Sequence, residues 1–354
     1  MTRTMRAALA LSSLACALLA CTAPPARISR GAVPASPVTS ASATPGPSAA
    51  REEPAVTLTE AGTVLREILA ADDVARAGGA ESYAVEQSRD AQRPLTVVAF
   101  ESTGLRPSRY RWDRPALLVP RLRPDRYPYW FAAVVRREDS KGKSRTAVLA
   151  FMKQYKTSDW QLSFASLLEP RAEPPAVALD DEGYATPLAT RDDSVAISPH
   201  LMAPLHATIA EEGPKGYAAS LIAPGPLTTG YFDEVEKLQP EYKSRGFLYD
   251  SLFAATAFPI YALRTTDGGA AILYSLTRTT LRQAKVSRAA GLVPVPKAVR
   301  WTVGRVLVPT TLRMVETQQY VGHVARRGAG QPATIVGFDG AATSVTAPFI
   351  FPPK

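Results

Sequence analysis

The sequence predicts an α+β protein of two tandem units, each a helix packed on a curved antiparallel sheet, set behind a disordered tether. Three observations predict it. The chain has 354 residues, 46% apolar and 21% charged, an ordinary globular composition of a length that suits two domains. Residues 22–54 hold seven Pro, eight Ala, eight Ser or Thr and two Gly without apolar periodicity, and such a stretch buries too little surface to fold. The remainder runs twice through one order, a helix followed by apolar strands between polar turns.

Taken in order, the chain opens on a short basic segment, Arg3 and Arg6, and an uncharged run of 14 residues from Ala7 to Ala20. A helix needs about 20 apolar residues to cross a membrane, so this run reads as the core of an export signal. It ends in Leu18-Leu19-Ala20-Cys21, which resembles the lipobox of bacterial lipoprotein precursors. The resemblance implies cleavage after Ala20, with Leu18 three places before the cut and Leu19 between them. It also implies that the Cys21 thiol takes a diacylglyceryl thioether and that palmitate-type acylation follows. Two chains hold a protein stably where one holds marginally, at about 0.8 kcal/mol per buried CH₂. The expected location is the extracytoplasmic face of the cell membrane. Residues 1–20 are then the signal and 21–54 the lipidated tether.

The first unit is expected over 55–170. Thr59 offers a cap for a helix to about residue 76, with Val64, Leu65, Ile68 and Leu69 on one face and Gly78-Gly79 as its end. Leu95–Phe100 reads as a strand. Strands at 129–136, 146–154 and 160–168, separated by polar turns, read as an antiparallel meander. Residues 171–198, rich in Pro and Asp, read as a linker. The second unit, 199–354, begins with a helix at 200–212 and another at 229–245 capped by Thr228 or Thr229. Strands follow at 258–265, 270–279, 312–326 and 334–338. Tyr127–Arg136 can be set against Ala257–Arg264, which suggests a divergent duplication. A helix wrapped by a curved antiparallel sheet resembles the cystatin-like and nuclear-transport-factor-like folds. The exported part as a whole resembles uncharacterised actinobacterial secreted lipoproteins, a group that implies no activity.

Cys16 leaves with the signal and Cys21 is consumed by lipid, so the mature chain keeps no thiol for a disulfide or a nucleophile. Loss of Arg3 and Arg6 takes the net charge from +9 to +7. There is no G-x-S-x-G elbow, no H-E-x-x-H, no P-loop and no dinucleotide fingerprint. His200 and His206 stand six apart, off helical ligand spacing, and His323 sits in a strand without a neighbouring nucleophile. Asp180-Asp181-Glu182-Gly183 lacks the alternating oxygens of a calcium loop. No cofactor and no metal is expected.

One stretch concentrates chemistry. Residues 106–130 hold Arg106, Arg109, Arg111, Arg114, Arg121, Arg123 and Arg126 among five aromatics. Guanidinium forks pair with carboxylate or phosphate, so these seven are candidate contacts for an anionic envelope polymer. Nucleic acid is the wrong partner outside a cell membrane. The function expected is a non-catalytic binding or scaffolding role at the envelope, with an envelope protein or polymer as partner. The alternatives are a carboxylate-based hydrolase acting on envelope material, or a small-ligand carrier.

Overall fold

The computed structural model describes residues 53–285 and 291–347. The signal, the lipobox and nearly all of the tether lie outside the described residues. The first helix, α1 (Leu58–Gly78), is capped by Thr57, two residues before the expected cap Thr59. Thr57 Oγ1 accepts from the Glu60 backbone N–H at 3.0 Å, and Thr57 with Glu60 three places on is the sequence of a capping box. Gly79 ends the helix at φ 66°, where a Cβ would meet Leu105 O at 2.8 Å. Leu95–Phe100 is not a strand. It is the body of α3 (Gln92–Glu101), which follows the short α2 (Glu81–Glu86). A run of six has no period that separates a strand from a buried helix; burial of Phe100 against Ala75 and Ala84 fixes the helical form.

The meander expected next is present as β3 (Tyr129–Asp139), β4 (Ser144–Lys153) and β5 (Trp160–Leu168). Two short strands precede it, β1 (Tyr110–Trp112) and β2 (Ala116–Leu118). Both pair with β3, β1 at its C-terminal end and β2 nearer its middle. The second half begins with α4 (Pro199–Glu212) and α5 (Thr229–Ser244). Thr228 stands at the cap position of α5, but its hydroxyl donates back to Ala223 O instead of capping. Then come β6 (Phe247–Ala255), β7 (Tyr261–Arg264) and β8 (Ala270–Ala284). Again two strands share one neighbour: β6 pairs with the C-terminal part of β8 and β7 with its start. The strand that two preceding strands share, as β1 and β2 share β3, is β8; the 257–264 segment holds β7, one of the two that pair with it. A small hairpin of β9 (Leu292–Pro294) and β10 (Leu307–Pro309) encloses α6 (Arg300–Val303). The long strands β11 (Thr311–Val324) and β12 (Thr334–Thr346) finish the sheet.

All these strands except β9 and β10 form one antiparallel sheet in the order β1-β3-β4-β5-β12-β11-β8-β6, with β2 on β3 and β7 on β8. The described residues make one compact unit. Within the sheet the halves meet at β5 and β12, whose ladder holds Leu168↔Gly337 and Leu167↔Phe338, with the Glu169 N–H donating to Val336 O at 2.9 Å beside it. Beyond that point the Gln319 side chain takes over: its Oε1 accepts from the Ala165 backbone N–H at 2.6 Å.

Residues opposite each other in a ladder share a face. Leu167 belongs to the core under α1, with Phe131, Val135 and Leu149. Phe338 belongs to the core under α4, with Met202, Ile209, Tyr274 and Tyr320. The helices thus cover one face of the sheet. The other face folds onto itself, so that Ala132, Val148 and Phe164 of the first half pack against Tyr261, Leu273 and Val321 of the second. Residues 171–198, expected as a linker, are bonded to both halves. Ala185 N donates to Val119 O at 2.8 Å, and Ala178 and Leu188 donate to Arg264 O and Ala262 O, each at 2.9 Å. Among the described residues no helix is long and apolar enough to cross a membrane.

Candidate anion-binding cleft

Between α1–α3 and the first-half sheet lies a narrow cleft, with about 560 Å³ of empty space including its mouth. Helices α2 and α3 and the turn between them supply Gln87, Ser88, Gln92 and Thr96; β1 supplies Tyr110 and Trp112. Two arginines reach it. Arg76, in the last turn of α1, is engaged: Nε meets Asp72 Oδ2 at 2.6 Å and Nη1 donates to Ser108 O at 3.0 Å. Arg137 is different. It continues the inward parity of Phe131, Ala133 and Val135 on β3, and its guanidinium carbon lies 4.1 Å from the Tyr110 ring centroid. It is half-buried, and among the described residues its guanidinium has no hydrogen-bond or ion-pair partner.

Its surroundings do not neutralise it at contact distance. Directly across the ladder stands Arg145, whose Nε and Nη2 donate to Leu168 O at 3.2 and 2.6 Å. Like charges face to face disfavour each other. Asp339 is the nearby counter-charge. Burial pushes its carboxyl above the usual range, Arg137 and Arg145 pull it back, and its Oδ1 accepts from Gly340 N at 2.9 Å.

The second half contains a related arginine in a different state. Arg278 of β8 follows Tyr274 and Leu276 on the helix-covered face. Its Nη2 donates to Glu234 Oε1 at 2.9 Å and its Nε to Ser251 Oγ at 2.7 Å. The Tyr249 hydroxyl donates to the same Glu234 oxygen at 3.1 Å. Across the ladder from Arg278 is Glu316, whose carboxyl is raised by burial against the opposing pull of Arg278 and Gln318.

The seven arginines of 106–126 divide. Arg109 grips Asp73 with two bonds of 2.9 and 2.6 Å and holds that carboxyl below its usual range. Arg111 meets Glu138 at 2.9 Å. Arg121 meets Asp180 at 2.7 Å and Glu182 at 2.9 Å, over the Tyr184 ring. Arg106, Arg114, Arg123 and Arg126 are exposed and form no ion pair among the described residues. The stretch does send Tyr110 and Trp112 into the cleft, but Arg137 lies outside it. Its signal was a charge at the buried parity of an apolar strand.

The histidines are placed as follows. His206 is fully buried; its Nε2 donates to Leu227 O at 2.6 Å, so Nδ1 is the acceptor of the Tyr274 hydroxyl at 2.8 Å. Burial lowers its pKa to about 4. His200 lies against Thr190 O, and His323 Nε2 lies 3.0 Å from Asp267 Oδ2 beside an open hollow. Asp180 Oδ1 closes its turn by accepting from Glu182 N and Tyr184 N. Among the described residues no group of three or more His, Cys, Asp or Glu is arranged to hold a metal.

Comparison with known proteins gives a family without an activity. The profile of a domain of unknown function (DUF8094) matches residues 52–347. An uncharacterised lipoprotein of Streptomyces avermitilis is 28% identical over 148 residues, 42% of this chain and 42% of its own length. One from Streptomyces coelicolor is 31% identical over 166 residues, 46% of this chain and 45% of its own. The chain thus spans less than half the length of either relative. No solved structure matches it.

Proposed function

The chain belongs to the DUF8094 family, within an actinobacterial group of lipoproteins; we propose that it serves at the cell envelope as a lipid-anchored, extracytoplasmic, non-catalytic binding protein. Its binding site is the first-half cleft, and its ligand is an anionic component of the envelope. The observation that carries this reading is Arg137, a half-buried guanidinium that has no hydrogen-bond or ion-pair partner among the described residues, in a polar and aromatic cleft. A desolvated charge without a partner is costly, and a site that keeps one gains most when an anion arrives. The names of the Streptomyces relatives and the Leu18-Leu19-Ala20-Cys21 box support the anchor.

The order of strands supports a tandem duplication of one helix-then-meander unit, cystatin-like or nuclear-transport-factor-like. In each half two successive strands share one long neighbour, first at its C-terminal end and then nearer its start. The duplication explains why the sheet is doubled about the β5–β12 join.

Two experiments test the reading. Cys21→Ser should move the protein from the membrane fraction to the soluble fraction; equal membrane retention would overturn the anchor. Thermal unfolding at fixed ionic strength should show stabilisation by small anions that Arg137→Met abolishes. If the variant responds to the same anions as the parent, the cleft is not the site.

A further inference from the structure

We propose that the ligand of the Arg137 cleft presents a carboxylate, because the second half holds a carboxylate of its own at the matching arginine. The proposal rests on the reading of the cleft as an anion site.

The match is one of register. Arg137 lies opposite Trp112 of the edge strand β1, and Arg278 lies opposite Phe253 of the edge strand β6. Each arginine follows two apolar residues at the same parity on a long central strand, Ala133 and Val135 or Tyr274 and Leu276, and points beneath the helices. Each stacks near aromatic rings, Tyr110 at 4.1 Å for Arg137, and Tyr231 and Phe253 at 5.3 and 5.4 Å for Arg278.

The difference lies in what faces them. Glu234 of α5 reaches Arg278, and one of its oxygens takes both the guanidinium and the Tyr249 hydroxyl. Across the ladder Arg278 has Glu316, whereas Arg137 has Arg145. From α2, α3 and the turn between them the cleft receives Gln87, Ser88, Gln92 and Thr96, all uncharged. The second half is closed by its own acid; the acid that lines the first-half cleft, Asp72 of α1, is bound to Arg76, and among the described residues no carboxylate is within contact distance of Arg137.

Charge counting selects a carboxylate over a phosphate dianion. Arg76 is matched by Asp72, and Asp339, on which both Arg137 and Arg145 act, offsets one charge of that facing pair. Three guanidinium groups against two carboxyl groups leave one net positive charge, which one carboxylate balances and a dianion exceeds. The cleft is narrow, so it takes a small acid or the acidic end of a chain.

The test uses the purified full-length protein and calorimetric titration at constant ionic strength. The carboxylate probes are N-acetylalanine and glucuronate, the neutral twins are N-acetylalaninamide and glucose, and the phosphate probe is glucose 6-phosphate. A charge-assisted pair is worth roughly tenfold or more in affinity. The carboxylates should bind about tenfold tighter than their neutral twins and tighter than the phosphate, and Arg137→Met should remove that margin. Gln92→Glu supplies the missing acid within the chain; it should weaken both carboxylate probes about tenfold while keeping the fold. If glucose 6-phosphate is the tighter ligand and needs Arg137, the carboxylate assignment falls and the anion site stands. If no charged probe outbinds its neutral twin in the parent protein, both fall.

Discussion

The Tyr261 hydroxyl donates to Ser163 Oγ at 2.6 Å across the contact between the two halves. Ser163 in turn donates to Asp90 Oδ2 at 2.6 Å, and Arg89 closes on the same oxygen at 2.7 Å. The Tyr261 ring lies 4.9 Å from Trp130. A line of polar bonds therefore runs through an otherwise apolar seam. Tyr261→Phe keeps the ring and removes one buried bond, so it should cost about 1–2 kcal/mol. Ser163→Ala strands the Tyr261 hydroxyl and leaves Asp90 Oδ2 with Arg89 alone, so it should cost more. Urea denaturation of the two variants and their double mutant checks the order.

His206 sets an acid limit on stability. Its folded pKa is about 4 against 6.5 for the free group, and the cause is burial. Between those values the unfolded chain binds the proton and the folded chain does not. The stabilisation is therefore complete above pH 6.5 and is lost as pH falls toward 4, by roughly 3 kcal/mol in all. Glu316 and Asp339 act with opposite sign: their raised folded pKa values favour the folded state as pH falls through the carboxylate range. The His206 slope is cleanest between pH 6.5 and 5. His206→Gln should be weaker at pH 7 and flatter across that window in urea midpoints.

Glu234→Gln should cost about 2 kcal/mol, because it leaves the buried Arg278 with a neutral partner. Part of the loss is offset by solvent, since the Glu234 side chain is 40% exposed. Pairing it with Arg278→Met should recover stability, a non-additivity that a double-mutant cycle measures directly.

Thr57→Ala should cost about 1 kcal/mol through the lost α1 cap, while Thr57→Asp should be close to neutral. Thr59→Ala should change thermal stability little. The pair discriminates the cap seen from the cap that the sequence alone suggested.

Gly337→Ala should strain the join of β5 and β12. A Cβ there would meet Leu168 Cδ2 at 3.1 Å and both Leu167 O and Val321 Cβ at 3.2 Å. Overpacking of this kind costs about 1–3 kcal/mol, and the expected sign is a lowered denaturation midpoint.

Which of these features could be read in advance follows from their range along the chain. The β3–β5 meander was legible because Phe131, Ala133 and Val135 alternate with less buried neighbours and a tight polar turn follows. The α4 and α5 helices were legible from local sequence too. Strand β6 was hidden because Leu248 and Leu252 are exposed while Tyr249 and Phe253 are buried, so both faces read as apolar. Helix α3 was misread because its evidence, the burial of Phe100 on Ala75, is tertiary. Arg137 reads locally as the charged end of a strand. Its meaning depends on Arg145 across the hairpin turn, and on Tyr110 and Arg278, which are distant in sequence.

The sheet, with two ladder pairs at its join and one shared apolar back face, has a thermodynamic consequence. Neither half owns a complete interior, and residues 171–198 lace both. The described fold should therefore melt cooperatively, in a single transition under heat or denaturant. Occupancy of the cleft would then be felt everywhere at once: a ligand at Arg137 should slow hydrogen exchange at the amides of α4 and β11 in the far half by the same linkage that protects its own walls.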